Sequence, residues 1–405
     1  MSDSSQLAAA AHAAVDELTE ELVAFRRDLH ANPELSWQEL RTCAKVAERL
    51  AAGGIDAKPL PRGGLVADIG TTGPVIGLRA DLDALPVEDL TLDPWASRVT
   101  GVAHACGHDV HTTAVLGAGL AIARLRDRFE LPGRVRLILQ PAEEVMPGGA
   151  LGVIESGAVA DVERVLAIHC DPAIDVGEVG LREGPLTGAA DFLRVDLEGD
   201  GGHTSRPHLT HDLTFALAKL VGELPAVLSR SFDPRAGVSL VWGSIHAGSA
   251  ANVIPATGHA LGTVRMLDPV VWAEAEKVVV EAIGQVVAPY RVRATIDYVR
   301  GVPPVVNEVT SLDLLDRAIE SSGGAMRRIV TTQSLGGEDF AWYLDETPGA
   351  MARLGTRTPG GPTYDLHRGD LRIDEGAVPL GARLLAVAAI EGVLAEGAAL
   401  RGDRV

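Results

Sequence analysis

The sequence predicts an α/β fold: a mostly parallel central sheet flanked by helices, with a small ferredoxin-like α+β domain inserted. Three observations predict it. Short apolar runs alternate with amphipathic helical patterns through the first 187 residues, and such alternation produces parallel sheets. Between about 188 and 299 the rhythm changes to β-α-β-β-α-β, the ferredoxin-like unit. From residue 300 the first pattern resumes. A chain of 405 residues is also long for one core, so two domains are expected: residues 1–187 with 300–405, and the insert 188–299.

The elements follow in order. Residues 8–30 and 37–52 read as amphipathic helices separated by Asn32-Pro33, because proline cannot continue a helix interior. Val75-Ile76-Gly77-Leu78 is an apolar strand ending near Asp81 and Asp83. Asp109 is placed to cap a helix running to about Arg126. Strands are expected at 134–139, ending at Gln140-Pro141, and at 164–168, ending at His169. Ligands of parallel sheets bind beyond the carboxyl ends of the strands. Asp81, Glu143, Glu144 and His169 therefore belong to one edge. In the insert, strands are expected at 191–197, 238–245, 258–266 and 291–299, with helices at 211–229 and 269–287. Helices at about 310–322 and 375–396 close the chain.

Composition narrows the function. A net charge of −19 argues against nucleic acid and anionic membrane surfaces, since both attract basic patches. No run of about 18 uninterrupted apolar residues suggests a membrane span. Met1 to Ala14 lacks a basic stretch before an apolar one and reads as the start of a helix. Three cysteines (Cys43, Cys106 and Cys170) make no disulfide framework and fit a reducing, cytoplasmic compartment.

The chemistry concentrates in His104-Ala105-Cys106-Gly107-His108-Asp109-Val110-His111 and in Gln140-Pro141-Ala142-Glu143-Glu144. Gly107 lets the chain turn tightly enough for Cys106 and His108 to face one ion, and thiolate with imidazole suits zinc and other first-row metals. A lone Cys-x-His is more often a buried cysteine beside a structural histidine. The nearby Asp109, His111 and carboxylate pair shift the balance toward metal. A Cys-His nucleophilic enzyme is a further reading, but it leaves Glu143-Glu144 without a role. Adjacent glutamates alone are usually a solvated pair. Here a strand delivers them to the active edge, where one can bind metal while its neighbour shuttles a proton. His169 joins them there, and His367 is weak evidence by itself. In the insert, His203 (within Gly201-Gly202-His203-Thr204-Ser205), Asn252 and Arg265 are either turn and surface residues or groups that hold substrate and an oxyanion.

Taken together, these segments resemble the di-metal aminoacylase/carboxypeptidase family, in particular its amidohydrolase branch of hippurate hydrolases, N-acyl-amino-acid amidohydrolases and auxin-conjugate hydrolases. The resemblance rests on Arg26-Arg27-Asp28-Leu29-His30 with Pro33-Glu34-Leu35-Ser36, and on Leu78 through Pro86. It extends through Cys106-Gly107-His108-Asp109, Gln140 through Glu144, Gly202-His203, Asn252 through Pro255, Gly337-Glu338-Asp339-Phe340 and Leu366-His367. It implies that Cys106, His108, Glu144, His169 and His367 hold two divalent ions, zinc or manganese, with Cys106 bridging. It implies Glu143 as general base, His203 and Asn252 as groups from the small domain, and Arg265 as partner of a substrate carboxylate. The expected activity is hydrolysis of N-acyl amino acids. A dipeptidase or carboxypeptidase of the same family, and a non-catalytic binder, are the alternatives. The insert would serve as a dimerisation or lid domain, giving a homodimer. Cys170-Asp171-Pro172 and Arg368-Gly369-Asp370 depart from the family pattern beside two expected ligands, which bears on the substrate.

Overall fold

A computed structural model describes residues 3–126 and 128–401; Met1, Ser2, Asp127 and residues 402–405, including both ends of the expected larger domain, lie outside the described residues. The chain divides into two compact units. One comprises Met1–Gly184, Val306–Thr332 and Asp339–Val405, the other Pro185–Val305 and Gln333–Glu338.

The first unit is built on an eight-stranded sheet in the order Ala57–Pro59, Leu65–Ile69, Arg134–Gln140, Val75–Asp81, Val162–Asp175, Gly349–Arg357, Glu178–Leu181, Arg327–Val330. Its four middle strands are mutually parallel. Antiparallel pairings flank them on both sides and the outermost pair, Glu178–Leu181 with Arg327–Val330, is again parallel, so the sheet is mixed, with four of its seven pairings parallel. Strand Val75–Asp81 is buried along its whole length, which explains its apolar run. Its last residue, Asp81, pairs with Gln140, so the two strands end level and deliver their following loops to the same edge.

Helix His108–Leu125 is buried almost all round and packs against helices Asp3–Ala31 and Ala377–Arg401. Such a helix is apolar on every face because every face meets protein. Small residues set its height above the sheet. A Cβ at Gly119 would lie 2.4 Å from a methyl of Leu137, so only glycine allows this approach. Each buried leucine or isoleucine of the helix, such as Leu116 or Ile122, contributes about 1.5–3 kcal/mol through burial. The final helix is long and apolar enough by composition to cross a membrane, but 72% of that stretch is buried inside the protein, the pattern of a core helix.

Two local expectations are corrected. Asp109 does not cap its helix. Gly107 is the N-cap, and Asp109, inside the first turn, keeps Oδ1 on the N–H of Val110 while Oδ2 meets His30 and Arg26, since a buried carboxylate needs charged partners. His169 does not end its strand, which continues to Asp175 because Gly349–Arg357 pairs along it.

The second unit has the order β-α-β-β-α-β with an added short ribbon. Its four strands are antiparallel throughout, in the order Ser239–Ala247, Thr257–Met266, Ala189–Glu198, Arg293–Val302. Helices Leu213–Ser231 and Pro269–Val287 begin at Asp212 and Asp268, whose side chains accept backbone N–H groups of the first turn. Residues Gly202–His203 and Val253–Ile254 form the ribbon.

Candidate metal centre

The five expected ligands come together in the first unit. Cys106 Sγ lies 3.7 Å from His169 Nε2. His108 Nε2 lies 3.7 Å from Glu144 Oε1 and 3.9 Å from Glu143 Oε2. His367 Nε2 lies 3.4 Å from Glu144 Oε2. Three overlapping groups result, each with donor atoms within 4.8 Å of one another: Cys106-His108-His169, Cys106-Glu144-His367 and His108-Glu143-Glu144. Cys106 is shared by the first two, and Glu144 by the last two.

Hydrogen bonds orient His108, His169 and the segments that carry Glu144 and His367. His108 Nδ1 donates to the carbonyl of Asp83 at 2.9 Å, and His169 Nδ1 donates to the carbonyl of Cys170 at 2.8 Å. Both rings therefore turn Nε2 into the cluster, the tautomer a metal ligand requires. The loop carrying Glu143 and Glu144 is fixed through its backbone. Asp83 accepts the N–H of Glu143 on one oxygen and that of Glu144 on the other, each at 3.0 Å. Ser36 donates to the same carboxylate at 2.6 Å. His367 is held at φ 62, a left-handed backbone, with its N–H on the carbonyl of Ala105.

A divalent cation fits these residues. His108 Nε2 and Glu144 Oε1 are buried without a hydrogen-bond partner, a costly state that a cation would relieve. Burial, with the carboxylates of Glu144 and Glu143 close by, pushes the Cys106 thiol well above its usual range. Burial likewise raises Glu144. Both shifts report negative charge lacking compensation. Burial, helped by Arg353, holds His169 well below its usual value, so the ring is a neutral donor. Burial opposes the charging of His108, yet Asp81 and Asp83 outweigh it and raise this ring well above the usual range; proton and cation compete for its Nε2.

Asp81 and His111 do not join as ligands, although with His108 they also come within 4.8 Å. The backbone N–H of Cys170 donates to His111 Nε2 at 2.8 Å, and His111 Nδ1 donates to Asp81 at 2.7 Å. Both ring nitrogens are used, and none is left for a metal. Asp109 faces away in an ion pair with Arg26 and His30. The sequence did not reveal the work of Asp83, which depends on contacts between distant segments. His203, Asn252 and Arg265 lie in the second unit. His203 pairs with Val253 in the ribbon, and the N–H of Thr204 reaches the carbonyl of Asn252. Arg265 lies on strand Thr257–Met266 and donates to the carbonyl of Leu335.

Thiol, imidazoles and paired carboxylates grouped near the carboxyl ends of the sheet's parallel strands make a donor set suited to a metal-dependent hydrolase. Residues 77–391 match peptidase family M20/M25/M40, and the chain belongs to that family, whose members hydrolyse amide or peptide bonds. An N-acetyl-L-cysteine deacetylase of Bacillus subtilis is 38% identical over 89% of this chain and 85% of its own length. A Rhodococcus jostii protein provisionally named glutamate–cysteine ligase 2-3 is 48% identical over 90% of this chain, which spans only 46% of that longer protein. A crystal structure of a dinuclear metal-binding M20 peptidase from Bacillus subtilis superposes with a TM-score of 0.82 at 31% identity, covering 94% of this chain and 99% of that one.

Proposed function

We propose that the protein is an amidohydrolase that cleaves N-acyl amino acids to a carboxylic acid and an amino acid. Cys106, His108, Glu144, His169 and His367 would hold two divalent cations, zinc or manganese. The observation that carries this reading is the convergence of those five donors around a buried, unpartnered imidazole nitrogen and carboxylate oxygen. Bound cations would supply Lewis acidity toward the amide carbonyl and the attacking water.

The remaining chemistry belongs to the chain. Glu143 takes the proton of the attacking water and returns it to the departing amine nitrogen. Its backbone bond to Asp83 supports that role by fixing the carboxylate's origin. His203 stabilises the oxyanion as a donor. The N–H of Ser205 donates to His203 Nδ1 at 3.1 Å, so a neutral ring carries its proton on Nε2. Asn252 assists in binding, and Arg265, with several N–H groups beyond the one on Leu335, pairs with the amino-acid carboxylate. We read the second unit as a ferredoxin-like insert spanning about 188–299 that mediates a homodimer, a reading its β-α-β-β-α-β order supports. Three free cysteines support a cytoplasmic enzyme.

The test is amine release from a panel of N-acyl amino acids, hippurate included, with metal, with chelator and after metal is restored. Turnover that chelation abolishes and metal restores is expected. Turnover confined to free dipeptides would replace this reading with a dipeptidase, and none on either class, with metal bound, would favour a binder.

A further inference from the structure

The segment Ser36–Glu39 touches the Glu143–Glu144 loop from below, and no role has so far been given to its last residue. Glu39 is only 4% exposed. Its Oε1 accepts the N–H of Ala142 at 2.7 Å and that of Trp37 at 3.0 Å. Ala142 sits at φ 54, a left-handed conformation that a residue with a Cβ adopts reluctantly. It is the residue immediately before Glu143.

Three successive backbone N–H groups are therefore held by two carboxylates: Ala142 by Glu39, and Glu143 and Glu144 by Asp83. The two carboxylates are themselves tied to one turn, since Ser36 donates to Asp83 and Glu39 closes that turn through Trp37. The Ala142 carbonyl is held by the N–H of Gly149 at 2.9 Å and the following N–H by Asp83, so Glu39 is the restraint on the N–H side of the strained residue, and its loss would free that side to relax. That relaxation would swing the next residue, which carries the acid-base carboxylate.

We infer that Glu39 is a positioning residue for hydrolysis: by holding the strained Ala142 it fixes the direction in which Glu143 leaves the chain. This rests on the reading of Glu143 as general base. Glu39 touches neither the substrate nor any of the five proposed ligands. Its neighbours include Asp83, whose charge faces it, and Cys43. The requirement is for a hydrogen-bond acceptor at this position, so glutamine, which keeps a carbonyl oxygen there, should serve.

The experiment compares Glu39→Ala, Glu39→Gln and Glu143→Gln with the parent in the full-length protein. It reads kcat and KM on the best N-acyl substrate, bound metal, thermal midpoint, and hydrogen exchange at the amides of residues 142–144 in metal-stripped protein. A displacement of about 1 Å of a catalytic group costs on the order of 100-fold. Glu39→Ala should therefore lose about that factor in kcat, with KM and metal content near the parent's and faster exchange at residues 142–144. Glu39→Gln should restore most of the rate and the slow exchange. Parent-like kcat or unchanged exchange in Glu39→Ala overturns the inference. So does a rate loss that Glu39→Gln fails to restore or that tracks metal loss. Full activity in Glu143→Gln would instead remove the general-base reading, while the exchange result would still report on the clamp.

Discussion

His108 and Asp83 are joined from ring to main chain and carboxylate: Nδ1 donates to the Asp83 carbonyl at 2.9 Å and lies 3.4 Å from its Oδ1, leaving Nε2 buried and without a hydrogen-bond partner. The side chain of Asp83 meanwhile holds the Glu143–Glu144 backbone. One residue thus orients an imidazole at the start of helix His108–Leu125 and a carboxylate pair on the loop after strand Arg134–Gln140. His108→Ala and Cys106→Ser should both lose bound metal, measured by elemental analysis after dialysis. Full occupancy in both would remove these residues as ligands.

Asp83→Asn keeps the size of the side chain but replaces one acceptor oxygen with an amide group. That group can only donate, and it would face a backbone N–H of Glu143 or Glu144. Loss of such an orienting partner typically weakens metal affinity or activity by about 10–100-fold. Metal titration and kcat for this variant check the prediction; parent-like values would show that the loop is fixed without Asp83.

The Glu39 carboxyl gives a pH dependence of stability. Burial pushes its pKa up to about 7, from an ordinary value of 4.5. Between those values the folded chain binds more protons at this site than the unfolded chain does. Stability from this site is therefore complete below the unfolded pKa and is lost as pH rises through about 7. Glu39→Gln removes that term, so its stability relative to the parent should improve as pH rises from about 4.5 to 8. Denaturant midpoints at several pH values test this, and a difference that is flat across the range contradicts it.

At helix Val309–Glu320, Glu308 is the N-cap. Its carboxylate accepts from the N–H and hydroxyl of Ser311 and pairs with Arg164. Burial opposes ionisation, but these bonds outweigh it and lower the pKa to about 2. Its contribution should persist above the unfolded value and fade as pH falls toward 2. Glu308→Ala should cost about 1 kcal/mol at neutral pH, the usual worth of a cap. Urea unfolding measures it, and no change at neutral pH would show the cap to be idle.

Part of the candidate centre was legible because Cys106, His108, Glu143 and Glu144 lie beside strong local signals, whereas His169 and His367 do not. Gly107 marks the turn between Cys106 and His108, and strand Arg134–Gln140 points to Glu143 and Glu144. What escaped depends on tertiary contact. Strand Gly349–Arg357 sits in the middle of the sheet, yet its sequence, Gly-Ala-Met-Ala-Arg-Leu-Gly-Thr-Arg, has a single β-branched residue, Thr356, and no aromatic one to announce a strand. Its pairing with Val162–Asp175 is also why His169 lies within a strand rather than at its end. Asp109 looked like a cap by position, and only the distant Arg26 and His30 decide otherwise. Glu39 belongs to none of the sequence motifs, and Asp83, though within Leu78–Pro86, shows its contacts only once residues 36–39, 83 and 142–144 meet.

The central claim is that Glu143 moves the proton while its neighbour holds metal. Glu143→Gln tests it most directly, with bound metal and amine release measured on the same preparation. Parent-like metal content is expected, with a rate lower by about 10²–10⁴-fold, the usual contribution of a positioned acid-base group. Near-normal turnover with metal in place would contradict it.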